Sequence, residues 1–415
     1  MRTGAHKNDF FQTIESFNRV AGVWLEPETS SMAKRVFFFV WDTLLAVYAT
    51  SFVISEFLVI ERIMGHLLLL VPHIAMLVGT CVGVLEFAIL ISNQAKMTRL
   101  KNVLQSEIFE YEDCHASQKI VEDSRAFYNR IMIATYLFYW MVGVGGHLSA
   151  LKDLNAENRA GRYGVNVTCY NLIPHLFVIP FQTNTVKRCK DALMVMDFGL
   201  FVLAGYLATH DTLLYAFTSC VDAKFQVVSE ATATIRERTE LKMQIAKNFG
   251  ILRDEEIPEL EELMYKEIKR CNYSLMTLLS CCEDLESIFC YTLLGRAIAS
   301  LLLLASCLYV GSFLSAKDPA MYHLIEYFVA AFFQIFMVCF FGFLITERGA
   351  AYNTYLYESD WHSCSLRYKR AMLIMMNRMQ QPVYLTIGKF YPLSLQAFMQ
   401  VFKAAFSYAT VLKTV

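Results

Sequence analysis

Residues 65–92 read GHLLLLVPHIAMLVGTCVGVLEFAILIS, and Glu86 is the only one of them with a full charge at pH 7. A helix crosses the hydrocarbon core of a bilayer in about 20 apolar residues, so this stretch is long enough to span a membrane. The sequence as a whole predicts an all-α membrane protein with seven transmembrane helices. The six other predicted spans, all with few charges, are 36–60, 130–151, 192–217, 287–313, 322–346 and 392–412.

The composition argues against several classes of protein. Hydrophobic residues make up 56% of the chain and charged residues 18%, with a mean hydropathy of +0.38, which is too apolar for an ordinary soluble protein. The net charge of −1 argues against nucleic acid as a partner, because phosphate binding needs a basic surface. The sequence contains no GxSxG, Walker-type loop, HExxH or metal-ligand cluster. We therefore expect no enzyme activity, no cofactor and no metal site.

The distribution of Lys and Arg predicts the orientation of the spans. The N-terminal segment and the connections after the second, fourth and sixth spans hold roughly 25 of them, against about 9 in the other connections. Positively charged segments stay in the cytoplasm, so we expect a cytoplasmic N-terminus. Seven spans then place the C-terminus outside the cell, which is the reverse of a G-protein-coupled receptor.

The connection between the third and fourth spans has two features of an extracellular loop. Asn166, with Val167 and Thr168, forms an N-glycosylation sequon. Cys169 and Cys189 lie in the same loop, and cysteines pair in oxidising compartments. Asn166 is thus a candidate for glycosylation, and Cys169 and Cys189 are candidates for a disulfide.

The spans divide the chain into six regions. Apolar spacing of three and four residues predicts helices in the N-terminal segment and between spans four and five, where they extend those two spans. The N-terminal helix, with Phe10, Phe11 and Ile14, either lies in the membrane interface or packs on the protein body. The regions are a cytoplasmic N-terminus (1–35), spans one to four (36–217), a cytoplasmic helical extension (218–286), spans five and six (287–346), a cytoplasmic helical region (347–391) and span seven (392–415).

Ionisable residues inside the predicted spans concentrate in their inner halves, at Asp42, Glu86, Asp211 and Arg296. Each costs about 2.5–3.5 kcal/mol to insert, so each needs a partner or a wet cavity. Glu86 and Arg296 lie at comparable depth and have opposite charges. We therefore predict that they form a pair.

The outer halves of the spans hold aromatic and neutral polar side chains instead. A mostly apolar pocket with few polar groups suits a small, neutral or weakly polar volatile ligand, although aromatic residues in spans also simply pack helices. Gly143, Gly145 and Gly146 leave room for either a ligand or a close helix contact. The candidate ligand-binding residues are His73, Leu77, Tyr139, Trp140, Gly143, Phe198, Phe201, Tyr309, Tyr327 and Phe333.

The sequence after span six contains several spaced motifs. They are YLYESDW at 355–361, a basic helix ending in QQP at 367–382, GKFYPLSLQAF at 388–398 and KAAFSYATVL at 403–412. In type and order they resemble the C-terminal signature of the insect odorant receptors. That signature has a Tyr and Trp pair, a basic helix with a Gln-x-Pro type turn, a Leu-Ser-Leu-x-x-Phe entry and a Ser/Thr-Tyr near a terminal Val-Leu.

The resemblance implies the insect odorant receptor fold and a function. The chain would be the odorant-binding subunit of a ligand-gated, nonselective cation channel, in the plasma membrane of olfactory sensory neurons. Its partners would be the lipid bilayer, a small volatile odorant and co-receptor subunits in a heterotetramer. The stretch 222–286 is too short for the additional insertion of the co-receptor, so the resemblance is to the odorant-recognising subunit.

Span seven would line the pore of such a channel. Its candidate pore residues share one helical face, because they recur at three- and four-residue spacing, and Val411 corresponds to the gate position of the family. Lys413 would oppose cations in the pore, so we predict that it points away or lies at the outer mouth. The candidates are Ser407, Thr410, Val411, Thr414 and Val415.

Three other kinds of membrane protein match the sequence less well. Insect gustatory receptors share the fold, but their usual C-terminal signature places Gln-Phe after the Thr-Tyr, and here Ser407 and Tyr408 are not followed by it. A G-protein-coupled receptor would place Asn166 inside the cell and would carry an Asp-Arg-Tyr or Asn-Pro-x-x-Tyr motif. A transporter would often show repeats or broken helices at the midplane.

Overall fold

The computed structural model describes residues 9–22, 31–111, 115–164, 167–244, 257–315 and 319–414, and most of these residues are helical. This confirms the predicted all-α class. Two short 3-10 helices cover Glu107–Phe109 and Cys169–Asn171. The α-helices are α1 (Gln12–Val20), α2 (Met32–Ile63), α3 (Leu67–Ser92), α4 (Gln94–Leu104), α5 (His115–Arg159), α6 (Val186–Ala233), α7 (Ile235–Lys242), α8 (Pro258–Gly311), α9 (Pro319–Glu358), α10 (Leu366–Met379) and α11 (Leu395–Thr414).

Six helices in the described part of the chain are long and apolar enough to cross a membrane: α2, α3, α5, α6, α8 and α9. Each contains one of the first six predicted spans almost entirely. Helix α11 covers the seventh, but Lys403 and Lys413 make it less apolar. It packs against α8 and α9 through small buried residues, Ala405 and Ala409.

The seventh span begins later than the sequence predicts. Tyr391–Pro392 forms strand β2, which pairs antiparallel with β1 at Thr386–Ile387, so α11 starts at Leu395 and not at Pro392. Gly388 turns the chain with φ +63°, and a Cβ there would lie 2.7 Å from the Leu294 side chain. A left-handed turn in so little space requires glycine.

Helices α6 and α8 are longer than a bilayer requires, with 48 and 54 residues. Helix α6 runs past predicted span four to Ala233, and α8 begins at Pro258, well before predicted span five. Buried ion pairs join the extensions, since Arg238 of α7 lies 3.2 Å from Glu267 of α8 and both side chains are nearly inaccessible. Lys242 contacts the same carboxylate at 3.2 Å. The predicted cytoplasmic end is therefore a packed helical layer.

Helix α1 packs on the protein body. Phe10, Phe11 and Ile14 are almost fully buried. The ring of Phe10 stacks 5.7 Å from Tyr128 of α5, and that of Phe11 lies 4.9 Å from Phe217 of α6. The structure thus shows the packing on the protein body that the sequence left open.

Charged groups attach the start of α1 to α4. Asp9 accepts hydrogen bonds from Lys101 at 3.1 Å and Gln105 at 2.6 Å, and from the Phe11 backbone N–H at 2.9 Å. Partial burial acts to raise the pKa of Asp9, but these hydrogen bonds and the Lys101 charge outweigh it and hold the pKa below its ordinary value. The ionised carboxylate therefore stabilises the docked helix.

We expect two glycines of α6 to respond oppositely to alanine. A Cβ at Gly199 would lie 2.6–2.8 Å from ring atoms of the buried Phe52 of α2, whereas a Cβ at Gly205 would meet nothing within 4 Å. Gly199→Ala should lower the stability by about 1–3 kcal/mol through overpacking. Gly205→Ala should leave it unchanged or raise it, because alanine favours a helix. Thermal unfolding of the two purified variants compares them directly, and equal midpoints would contradict the α2–α6 contact.

Candidate functional site

A cavity of about 640 Å³ lies among α3, α5, α6, α8 and α9. Its volume falls within the range of about 300–1,000 Å³ that is usual for small-molecule sites. Most of its lining is aliphatic or aromatic, including Met76 of α3, Leu207 of α6 and Leu303 of α8. The cavity therefore suits an apolar ligand.

Glycines shape two walls of this cavity. Gly79 of α3 and Gly143 and Gly146 of α5 line it, and a Cβ at any of the three would meet no atom within 4 Å. Gly145 has the other role, because a Cβ there would collide with the carboxylate of Glu326 on α9. The glycine-rich turn of α5 thus provides both a ligand space and a close helix contact.

Six of the ten candidate ligand-binding residues line the cavity: Tyr139, Trp140, Gly143, Phe198, Phe201 and Tyr327. The rings of Trp140 and Phe201 lie 5.7 Å apart and connect α5 with α6. Both remain exposed in this chain, by 58% and 53% respectively. The α5–α6 side of the cavity is therefore its open side.

The structure does not bring the other four candidates to this cavity. His73 donates from Nε2 to the backbone oxygen of Glu56 at 3.0 Å, so it faces α2, and Leu77, one turn further along α3, is buried. Phe333 packs on Phe138 at 4.5 Å. Tyr309 packs on Phe313 near the end of α8, 5.2 Å away. These residues support the walls and do not line the space.

Buried charges form one end of the cavity. Arg296 of α8 pairs with Glu86 of α3, and its Nη2 lies 3.3 Å from Asp211 of α6. All three side chains are almost inaccessible. The predicted Glu86–Arg296 pair is thus confirmed, and Asp211 is a second acidic partner.

Two polar side chains connect this charged cluster to the cavity. Tyr139 of α5 donates its hydroxyl proton to Asp211 at 2.8 Å, and Gln334 of α9 donates from Nε2 to the same oxygen at 3.2 Å. Tyr139, Gln334 and Arg296 all line the cavity. A ligand that contacts these three groups contacts a network that joins five helices.

Sequence reasoning missed several cavity residues. Gln334 is a polar side chain within an apolar span, and that contrast could have indicated a cavity residue. Met194, Leu207 and Ser300 resemble ordinary packing residues and carry no such signal. It also missed a buried charge, Glu56 of α2, which is fully inaccessible and pairs with His175 of the loop before α6. The predicted outer half of the bundle therefore contains a buried charge, which the sequence did not indicate.

The candidate pore face of α11 points away from the rest of the chain. Ser407, Thr410 and Val411 are exposed, whereas Ala405 and Ala409 on the opposite side are buried. Lys413 lies about 160° around the helix from Val411, at 100° per residue, so the two do not share a face. The side chain of Thr414 and all of Val415 lie outside the described residues.

The loop before α6 is tied to that helix by a disulfide between Cys169 and Cys189, whose Cα atoms are 5.6 Å apart. The 3-10 helix at Cys169–Asn171 begins with a capping box, in which the Asn171 side chain accepts from the Thr168 backbone. Asn166, the candidate glycosylation residue, lies outside the described residues. The disulfide therefore fixes a structured loop beside the cavity.

A sequence model of the family described as "7tm Odorant receptor" matches residues 67–406. This chain belongs to the odorant receptor family. It is thus a multi-pass membrane protein and a receptor, not an enzyme. The assignment agrees with the resemblance of the C-terminal motifs.

Insect odorant receptors are among the relatives of this receptor. It is 26% identical to Odorant receptor 22c of Drosophila melanogaster over 178 residues, which are 42% of this chain and 44% of that protein. It is 24% identical to Odorant receptor 2a of the same insect over 292 residues, 66% of this chain and 71% of that protein. The match with the first relative thus spans less than half of that protein's length.

The fold is also that of a solved insect receptor. The olfactory receptor OR5 from Machilis hrabei superimposes with a TM-score of 0.76 at 12% identity, covering 98% of this chain and 99% of that one. The structure of OR5 in complex with eugenol gives a TM-score of 0.75 at 14% identity. The predicted insect odorant receptor fold is therefore confirmed.

Proposed function

We propose that this odorant receptor is the odorant-binding subunit of a ligand-gated, nonselective cation channel. It works with co-receptor subunits in a heterotetramer, in the plasma membrane of olfactory sensory neurons, with its N-terminus in the cytoplasm. The observation that carries the proposal is the placement of the 640 Å³ cavity. The two helices that pack on α11, α8 and α9, also line that cavity.

The ligand we propose is a small volatile with an apolar body and few polar groups. The lining offers aromatic surface at Trp140, Phe198 and Phe201 and polar contacts at Tyr139 and Gln334. Eugenol, the compound bound to the Machilis receptor, has this character, so its class is a reasonable first group of test compounds. His73, Leu77, Tyr309 and Phe333 would affect binding indirectly, through the position of the walls.

The opening mechanism follows from the shared helices. Phe398 of α11 lies against Phe332 and Phe336 of α9, with ring centroids 5.1 and 5.6 Å apart. Two positions before Phe336, Gln334 lines the cavity. An odorant that binds one arrangement of α9 more tightly shifts the equilibrium by that affinity difference. The shift displaces α11 and widens the ring of its Val411 side chains.

Whole-cell current tests this function. Three sets of cells are compared: cells with the receptor alone, cells with an insect odorant-receptor co-receptor alone, and cells with both. Each set is exposed to a panel of volatiles. We expect an odorant-evoked cation current that requires both subunits, and an altered odorant response when Tyr139 or Phe201 is replaced by Ala. If no volatile evokes a current although both subunits are shown to be at the cell surface, the channel function is contradicted.

Cysteine accessibility tests the pore face. In channels with Val411→Cys, a cationic thiosulfonate reagent applied during odorant should reduce the current, because hydrophobic pore residues become wet when the gate opens. Phe406→Cys is the control, since Phe406 is also exposed but lies about 140° around the helix from Val411. Equal modification effects at the two positions would show that Val411 does not face the pore.

A further inference from the structure

A second cavity, of about 450 Å³, lies beside the first at the end of α2 and the start of α3. The disulfide-tethered loop before α6 contributes Tyr170 and Asn171 to its lining, and α2 contributes Arg62. Met76, Pro174, Leu303 and Tyr327 line both cavities and form the partition between them. The second space is thus a neighbour of the first with its own polar groups.

Arg62, Tyr170 and Asn171 are among the hydrogen-bond donors in the lining of this second cavity. Arg62 contacts only the Tyr170 hydroxyl oxygen, at 3.4 Å, and forms no ion pair with any residue that the structure describes. That oxygen also accepts from the Ile179 backbone N–H at 3.2 Å, so the Tyr170 hydroxyl proton remains available. Among the described residues, Asn171 forms hydrogen bonds only through Oδ1, as the acceptor of the capping box, so its amide N–H groups are available to a ligand.

The same cavity lacks anionic groups. Among the described residues, no Asp or Glu side chain lines it. Glu56 lies behind the wall, where His175 and Thr80 bind its two oxygens. The start of α3 adds positive potential, because His66 at its N-cap lines the cavity and gives no capping hydrogen bond to the helix. Arg62 is exposed at the cavity and has no acidic partner among the described residues, so the site favours an anion over a cation.

The rest of the lining decides what kind of anion fits. Aliphatic walls are provided by Val59, Ile63, Leu69 and Leu176. An inorganic ion has no apolar surface to bury against them, whereas an organic anion does. A guanidinium group binds a carboxylate through two parallel hydrogen bonds. We propose that this cavity is a second ligand site, for a short-chain aliphatic carboxylate. Its carboxylate group binds Arg62, Tyr170 and Asn171, and its alkyl chain lies on the aliphatic walls.

Direct binding to the purified full-length receptor tests the site without relying on channel activity. The probe is carbon-13-labelled hexanoate, titrated by NMR against the receptor in lipid nanodiscs, with methyl hexanoate as the uncharged probe of equal chain. Arg62→Gln removes the charge, and Arg62→Lys keeps it. Asn171→Asp keeps the capping oxygen but removes the amide donors and adds a like charge. Arg62 and Asn171 are exposed, so these variants should fold.

We expect hexanoate affinity to fall about tenfold in Arg62→Gln and at least as much in Asn171→Asp, as for loss of a charged hydrogen bond. It should fall less in Arg62→Lys, and methyl hexanoate should be insensitive to all three. Phe201→Ala is the control, because Phe201 lines only the first cavity. The proposal is overturned if wild type binds no hexanoate, if Arg62→Gln binds it as wild type does, or if Phe201→Ala abolishes its binding.

Discussion

Replacing Arg296 by methionine is expected to destabilise the receptor by about 3–5 kcal/mol, the cost of breaking a buried ion pair by removing one partner. Glu86 and Asp211 would lose their arginine partner although both side chains are almost fully buried, and only the His210 imidazole, 3.7 Å from Glu86 and 3.4 Å from Asp211, would remain near them among the described residues as a group that can carry a positive charge. The hydrogen bonds of Tyr139 and Gln334 to Asp211 cannot neutralise a charge. We expect a much lower thermal midpoint of the purified protein and little receptor at the cell surface.

Two further variants make this prediction specific. Ser300→Ala is the control, because Ser300 lies one turn further along α8 and lines the same cavity. The Ser300 hydroxyl has no hydrogen-bond partner among the described residues, so the thermal midpoint of this variant should equal that of the wild type. Combining Arg296→Met with Glu86→Gln and Asp211→Asn should restore most of the stability, because no buried charge then lacks a partner. An Arg296→Met midpoint equal to that of Ser300→Ala would show that the network does not hold the helices together.

The parts of the fold that the sequence predicts well are those that the membrane constrains. Apolar length is required of every span, so six spans could be located directly. Charges in a membrane need partners, and this requirement, with the comparable depth and opposite charges of Glu86 and Arg296, predicted the contact between them. The start of α11 was misplaced because Pro392 is compatible with the first turn of a helix, and only the pairing of β1 with β2 shows that it lies in a strand.

The cavity was predicted only in part, because apolar helices do not reveal which side faces a neighbour. Helix α3 is hydrophobic all around, so it has no stripe that marks a core. The sequence-based candidates on α3 were His73 and Leu77, whereas the residues of α3 that line the cavity include Met76 and Gly79, on the neighbouring face. On α5, glycines indicate the open side, and the candidates Tyr139 and Gly143 both line the cavity. The rotation of each helix about its axis is set by tertiary contacts that the sequence pattern does not contain.

Filling the cavity from α5 should abolish the odorant response. Gly146 is buried, it lines the cavity, and a Cβ there would meet nothing within 4 Å. In Gly146→Phe the ring enters space that a ligand needs, at no cost to the helix contacts. We expect odorant sensitivity to fall by about 100-fold or more, which corresponds to about 2.7 kcal/mol of binding free energy, with normal surface expression. Concentration–response curves of the odorant-evoked current measure this.

The control is Gly205→Phe on α6. A Cβ at Gly205 also meets nothing within 4 Å, but Gly205 is not among the residues that line the cavity. The same large substitution should therefore leave odorant sensitivity unchanged. If both variants respond as wild type does, odorants do not bind among α3, α5 and α6. If both fail while reaching the surface, the loss reflects a larger side chain in a span and not occupation of the cavity. Only loss in Gly146→Phe alone identifies this space as the odorant site, because the substitution is the same and only its position relative to the cavity differs.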